Sequence, residues 1–288
     1  MYILKYNIKY EALDKIIEIL QIHDIFNVYY ETPLEITTDE YGYGYLEKKV
    51  TTIDIQIAYD EDYINLENFK NKVDNLLNTP CVSVEEVNYN YDDYNFPEVY
   101  INDNWVLASP DKDIKNKNIN KISFISQGAF GTGLHETTKD ILNVILTKLD
   151  LYNKTVLDIG TGSGILSIAS SIVGARNVTA LDIRDVKDEV QLNANINGLY
   201  NIEVLVGNAL ENEVEITEKY DWIYINIGGE ETQLFMDFIK NHLAENGKVL
   251  VSGLVEWSFD KVKEIVEGYS LNLEDKYQSN EWVTAIFS

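Results

Sequence analysis

The residues with the clearest chemical meaning run Val156-Leu157-Asp158-Ile159-Gly160-Thr161-Gly162-Ser163-Gly164. An apolar stretch suited to a strand meets a glycine-rich turn that opens a helix. Glycines there let the backbone approach a ligand closely, and the helix start offers free N–H groups. The second acidic position is Asp182, 22 residues after Gly160 and at the end of the next predicted strand. A carboxylate so placed accepts hydrogen bonds from both hydroxyls of a ribose. The combination predicts a nucleoside-bearing ligand.

Two ligand classes compete. A dinucleotide site prefers Gly-x-Gly-x-x-Gly, with a pyrophosphate at the helix start. This chain has Gly-x-Gly-x-Gly, and Asp158 stands two residues before the first glycine. That carboxylate would repel a pyrophosphate, but it suits a cation with an amino acid tail. The pattern therefore resembles the S-adenosyl-L-methionine-dependent methyltransferases rather than a nicotinamide dehydrogenase. In that class a residue placed like Asn208, in Gly207-Asn208-Ala209, contacts the adenine; the residue alone reads equally well as a turn Asn.

These residues need a scaffold. Strands are predicted at 155–159, 177–182, 202–206, 222–226 and 248–252, with helices at 135–149, 164–173, 186–197, 230–243 and 256–267. The stretches 270–274 and 281–287 read as two final strands, an antiparallel end to a parallel sheet. Alternation of this kind gives a sheet with helices on both faces and ligands at its carboxyl edge. The first ninety residues read β-α-β-β-α-β, which suggests a ferredoxin-like α+β domain. The best strand signal there is Lys48 to Ala58, which alternates with a period near two. The expectation is an α/β protein: an α+β substrate-recognition domain over 1–90, a linker over 91–107, and a class I methyltransferase Rossmann-like domain over 108–288.

The chain carries 23 basic and 48 acidic residues, a formal charge of −25. Such a surface repels phosphate backbones and attracts a basic partner. No long apolar run predicts a membrane span. The only cysteine is Cys81, and no secretory signal is visible, which fits a reducing cytoplasm. His23 and His242 show no metal-ligand spacing.

Two more segments narrow the reading: Gly128-Ala129-Phe130-Gly131-Thr132-Gly133-Leu134-His135-Glu136-Thr137-Thr138, and Ile225-Asn226-Ile227-Gly228. With Asp158–Gly164 and Asn193-Ala194-Asn195-Ile196-Asn197-Gly198 they resemble PrmA, the family of ribosomal protein L11 methyltransferases. The resemblance covers most of 128–288. It implies that Thr138, Gly160, Asp182 and Asn226 bind the cofactor, together with Asp158, Gly162 and Gly164 around the same glycine turn as Gly160. Phe130, Gly131 and Thr132 align with the loop over it. It implies methyl transfer to amino groups, lysine or N-terminal, of a basic ribosomal protein, with Asn226 orienting the amine. An amine acceptor must lose a proton first, and His135 is a candidate base because imidazole titrates near ~6.5; capping the following helix is its other reading. Glu230 and Glu231 are placed to receive a basic side chain at the site mouth, or to complement the helix dipole.

The chain departs from the family pattern at Glu136, where the family has Pro, at Arg184, where it often has an acid, and at Gly228-Gly229, where it has an apolar residue. These departures keep open a related methyltransferase acting on another protein or a small molecule, and a binding module without catalysis.

Overall fold

The computed structural model describes residues 1–60, 63–87, 96–127, 131, 133 and 135–288, the side chains of 63 and 64 excepted. Contacts divide the chain into two units: residues 1–37 with 43–94, and residues 38–42 with 95–288.

The first unit runs β1 (Tyr2–Lys9), α1 (Leu13–Ile22), β2 (Val28–Tyr30), β3 (Leu34–Thr38), β4 (Tyr43–Glu47), β5 (Thr52–Tyr59), α2 (Tyr63–Leu77) and β6 (Ser83–Glu86). Four strands form an antiparallel sheet in the order β2-β5-β1-β6. In β5, Ile53, Ile55, Ile57 and Tyr59 are buried while Thr52, Asp54 and Gln56 face water. That period-two alternation defines a sheet with one apolar face. Leu13 and Leu20 of α1 and Leu66, Val73 and Leu77 of α2 fill that face. The hairpin β3–β4 is separate from the sheet. Sequence reading gave no element there, because Leu34, Ile36, Tyr45 and Leu46 stay exposed and leave no burial pattern to detect.

The second unit begins with β7 (Val99–Asn102), β8 (Trp105–Ala108) and β9 (Asn120–Ser123), a small three-stranded sheet. Composition suggests a linker over 91–107, partly ordered around Trp105. Instead Asn102 accepts the Asn104 N–H at 2.8 Å, closing a tight turn, and Ile101, Val106 and Leu107 are buried.

There follow α3 (Glu136–Thr147), β10 (Thr155–Ile159), α4 (Ile165–Ile172), β11 (Asn177–Asp182), α5 (Lys187–Ile196), β12 (Ile202–Val206), β13 (Tyr220–Asn226), α6 (Gly229–His242), β14 (Leu243–Val255), α7 (Glu256–Gly268), β15 (Leu273–Ser279) and β16 (Trp282–Phe287). The sheet order is β12-β11-β10-β13-β14-β16-β15. Its first five strands are parallel, and β16 enters antiparallel between β14 and β15.

All five residues of β10 are buried, as a strand covered on both faces requires. Val156 points into a core with Ile141 and Ile145 of α3 and Ile165 and Ile168 of α4. Its neighbour Leu157 points into the opposite core, with Met236 and Ile239 of α6 and Val262 and Val266 of α7. Strand order reverses at β10, since β11 lies on one side and β13 on the other. The carboxyl ends of β10 and its neighbours therefore border a crevice, the usual ligand position of open α/β sheets.

Candidate active site

The glycine turn follows β10 directly. Gly160, Gly162 and Gly164 have φ of 68°, 54° and 77°, the left-handed region where a Cβ is strained. Space forbids a side chain as well. A Cβ on Gly160 would lie 2.6 Å from Ile227 Cδ1, and one on Gly164 would lie 2.8 Å from Val190. The turn is thus packed between the end of β13 and α5.

Asp158 is 1% exposed. Its Oδ2 accepts the hydroxyls of Thr161 and Ser167, each at 2.7 Å. Burial pushes this carboxyl up, the two hydroxyls oppose that, and the nearby Asp182 adds to the rise. No cation contacts Asp158 among the described residues. Its first task is local: it ties the turn to the start of α4.

Asp182 closes β11 and is also buried. Its Oδ2 accepts the Gly162 N–H at 2.9 Å and its Oδ1 the Arg184 N–H at 3.0 Å. The Arg184 guanidinium approaches Oδ1 at 3.5 Å. The carboxylate is therefore fixed in orientation at the crevice. Register places Asp182 and Asn226 on either side of the turn, since Ile159 pairs with Leu181 in one neighbour and Ile225 in the other.

Two buried polar atoms here lack partners: Thr138 Oγ1 and Asn226 Oδ1. Thr138 is fully buried in the first turn of α3, which packs against α4. A buried acceptor without a partner costs about 1–3 kcal/mol, so such atoms mark places where a ligand completes the bonding.

The other expected residues fall as follows. Gly131 has φ of 96° and accepts the Ser163 hydroxyl at 2.9 Å, which joins its loop to the glycine turn. Phe130 and Thr132 lie outside the described residues. Asn208 accepts the Leu210 N–H at 3.0 Å and caps a short 3-10 turn over Ala209–Glu211, the turn role rather than a free amide. His135 is the N-cap of α3. Its Nδ1 lies 2.8 Å from Thr137 Oγ1, and its ring packs edge-on against Trp282 at 4.8 Å.

Sequence reading matched Asn193–Gly198 to a family pattern without a physical reason. The structure supplies one. Asn193 accepts the Ile125 N–H at 2.8 Å and donates to the Ile125 carbonyl at 3.0 Å. Asn197 does the same for Ser123 at 3.0 and 2.7 Å. Glu189 accepts the Gln127 N–H at 3.1 Å. Residues four apart on α5 thus serve alternate residues of an extended segment, whose backbone has no strand partner on that side. The spacing i, i+4, i+8 of polar residues on one helix face was the available signal.

Among the described residues no helix is long and apolar enough to cross a membrane.

Comparison with known proteins agrees with this geometry. A protein of Lactobacillus johnsonii named ribosomal protein L11 methyltransferase is 36% identical over 155 residues, 54% of this chain and 48% of that one. One of the same name from Fusobacterium nucleatum is 30% identical over 218 residues, 70% of each chain. The chain spans about half the length of the first of these relatives. A crystal structure described as ribosomal protein L11 methylase from Lactobacillus delbrueckii subsp. bulgaricus superimposes with a TM-score of 0.59 at 27% identity, covering 67% of this chain and 98% of that one. The second unit accordingly has the Rossmann-like fold of class I methyltransferases. The family model for ribosomal protein L11 methyltransferase matches residues 2–288, and the chain belongs to that family, PrmA.

Proposed function

We propose that this protein transfers methyl groups from S-adenosyl-L-methionine to amino groups, lysine or N-terminal, of ribosomal protein L11. The observation that carries the reading is the unpartnered, buried Asn226 Oδ1 beside a glycine turn already bound to the Asp182 carboxylate. The residues present fit the methyl donor. Asp182 would hold the ribose hydroxyls, the turn Gly160–Gly164 would admit the amino acid tail, and Thr138 Oγ1 would gain its missing partner. When bound, the donor supplies an activated methyl group on a cationic sulfur.

The chain's own contribution is placement. Asn226 Oδ1 accepts a hydrogen from the incoming amine and points its lone pair along the displacement line. A lysine amine carries a proton below about 10.4 in water, so it must lose that proton before attack, and desolvation in the crevice favours the neutral form. The enzyme's charge of −25 draws a basic ribosomal protein towards it. We place the reaction in the cytoplasm, in keeping with the lone cysteine.

The test has two parts. Calorimetry measures S-adenosyl-L-methionine binding to wild type and to Asp182→Ala, with a loss of on the order of 100-fold expected from removing a charged acceptor of two hydroxyls. Intact-mass analysis of purified L11 after incubation should show whole methyl increments with wild type only. A wild-type protein that binds no S-adenosyl-L-methionine, or that labels other proteins and leaves L11 unchanged, would overturn the reading.

A further inference from the structure

The step from β13 into α6 contains the departure Gly228-Gly229 and a carboxylate folded back over it. Glu231 Oε2 lies 2.7 Å from the point a Cβ on Gly228 would occupy. Gly228 is extended, with φ of 169°, a conformation open to any residue. Its missing side chain therefore serves space rather than backbone freedom. Any larger residue at 228 would have to displace the Glu231 carboxylate.

That carboxylate is otherwise uncommitted. Glu231 is the third residue of α6, a position from which Glu often closes a capping box on the N-cap N–H. Here Gly228 is the N-cap and no side chain caps it. Among the described residues Glu231 has no hydrogen-bond or ion-pair partner. Gly228 lies two residues after Asn226, just past the carboxyl end of β13, so Glu231 Oε2 lies at the same strand end as the unpartnered Asn226 Oδ1. Glu230, by contrast, is exposed.

We infer that Glu231 is the acceptor-binding carboxylate: it pairs with the ammonium of the target amine and delivers it to Asn226, in the space that Gly228 leaves open. This inference rests on the amino-methyltransferase reading above. It makes the site selective for cationic acceptors, since a neutral group gains nothing from the pairing. The proton that the amine sheds before attack passes to water, so the role is binding and selection.

Glu231→Gln keeps shape and removes charge. The expected result is a KM for L11 raised ~10-fold, with kcat within about threefold, the pattern of lost acceptor binding. Calorimetry should show the same ~10-fold weakening of L11 binding in the presence of S-adenosylhomocysteine, and an unchanged affinity for S-adenosyl-L-methionine. Gly228→Ala should raise the KM for L11 in the same direction, because the new methyl group pushes Oε2 away while charge is kept. If Glu231 only stabilises the start of α6, Glu231→Gln would lower the melting temperature and leave KM and L11 affinity unchanged, and that outcome overturns the inference. A wild type that binds no S-adenosyl-L-methionine defeats the preceding reading instead. A wild type that methylates L11 while Glu231→Gln keeps its KM defeats only this one.

Discussion

Each unit of this protein encloses a carboxylate, and the two are treated in opposite ways. In the first unit, Asp74 receives the Tyr6 hydroxyl at 2.9 Å, the Lys70 ammonium at 2.9 Å and the Cys81 N–H at 3.0 Å. Burial works against its charge, yet these bonds together hold its carboxyl below the usual value. In the second unit, Asp158 has two neutral hydroxyls and, among the described residues, no cation; burial holds its carboxyl above the usual value. The first arrangement is a completed staple. The second leaves negative charge uncompensated beneath a glycine turn. A protein keeps an uncompensated buried charge at a cost to stability, and the usual return is function.

The comparison breaks first at Asp158. Its folded pKa lies above the unfolded value near ~3.9, so the folded state holds the proton more tightly. The stability it contributes is complete below the unfolded pKa and is lost as pH rises through the folded one. Asp158→Asn should remove that component. The stability difference between wild type and variant should then change with pH across this window, wild type losing ground as pH rises. The same variant should bind S-adenosyl-L-methionine on the order of 100-fold more weakly, the worth of one charge-assisted interaction. Denaturant titrations at several pH values and calorimetry check both. Unchanged affinity would mean that Asp158 shapes the turn and nothing more.

Asp74 should behave in reverse. Its lowered pKa contributes stability present above the unfolded value and lost as pH falls through the folded one. Asp74→Ala should cost about 2 kcal/mol, since the buried Tyr6 hydroxyl loses its acceptor. Affinity for S-adenosyl-L-methionine should stay the same. A change in that affinity would show that the two carboxylates are not independent.

How far the sequence revealed these features depends on whether a residue acts through its neighbours in the chain. The strands at 155–159 and 177–182 were legible to the residue because burial on both faces leaves mainly apolar stretches between turn residues, and the edge strand 202–206 because Ile202, Val204, Leu205 and Val206 stand between Asn201 and Gly207. The glycine turn and Asp182 were legible because a close ligand approach dictates both type and spacing. The tie from Asp182 to Gly162 was not, nor the partnerless Oδ1 of Asn226, since each depends on strands that meet only after folding. Hairpin β3–β4 and strands β7 and β8 were missed for another reason. They are short; β3 and β4 leave Leu34, Ile36, Tyr45 and Leu46 exposed, and β7 and β8 follow a stretch rich in Tyr, Asp and Asn.

Asn193→Ala tests a smaller link on the second unit's side of the comparison. It removes both bonds to Ile125, and Asn193 is fully buried, so no water replaces them directly. The expected loss is about 2 kcal/mol of stability. Asn193→Asp should recover part of it, because its oxygen still accepts the Ile125 N–H. Affinity for S-adenosyl-L-methionine should fall only a few-fold, because Asn193 bonds to Ile125 and not to the glycine turn. Thermal melts of the three proteins decide this, and equal melting points would show that the amide ladder forms without contributing.

The smallest effect is expected at His135, for which the sequence offered two roles, base and cap. Sequence placed an imidazole in a loop over the cofactor, a position from which it could take a proton. Its observed contacts are those of a cap and a packing partner: Nδ1 faces Thr137, and the ring lies against Trp282. A cap lost to Ala costs about 1 kcal/mol, whereas a lost general base costs about 100-fold or more in rate. These magnitudes separate the roles in one variant. His135→Ala should lower the melting temperature by a few degrees, leave kcat for L11 within about threefold, and keep the shape of the pH–rate profile. Should kcat instead collapse while the melting temperature holds, the imidazole carries the proton after all, and the division of labour between a settled scaffold and the open Asn226 end would have to be redrawn around α3.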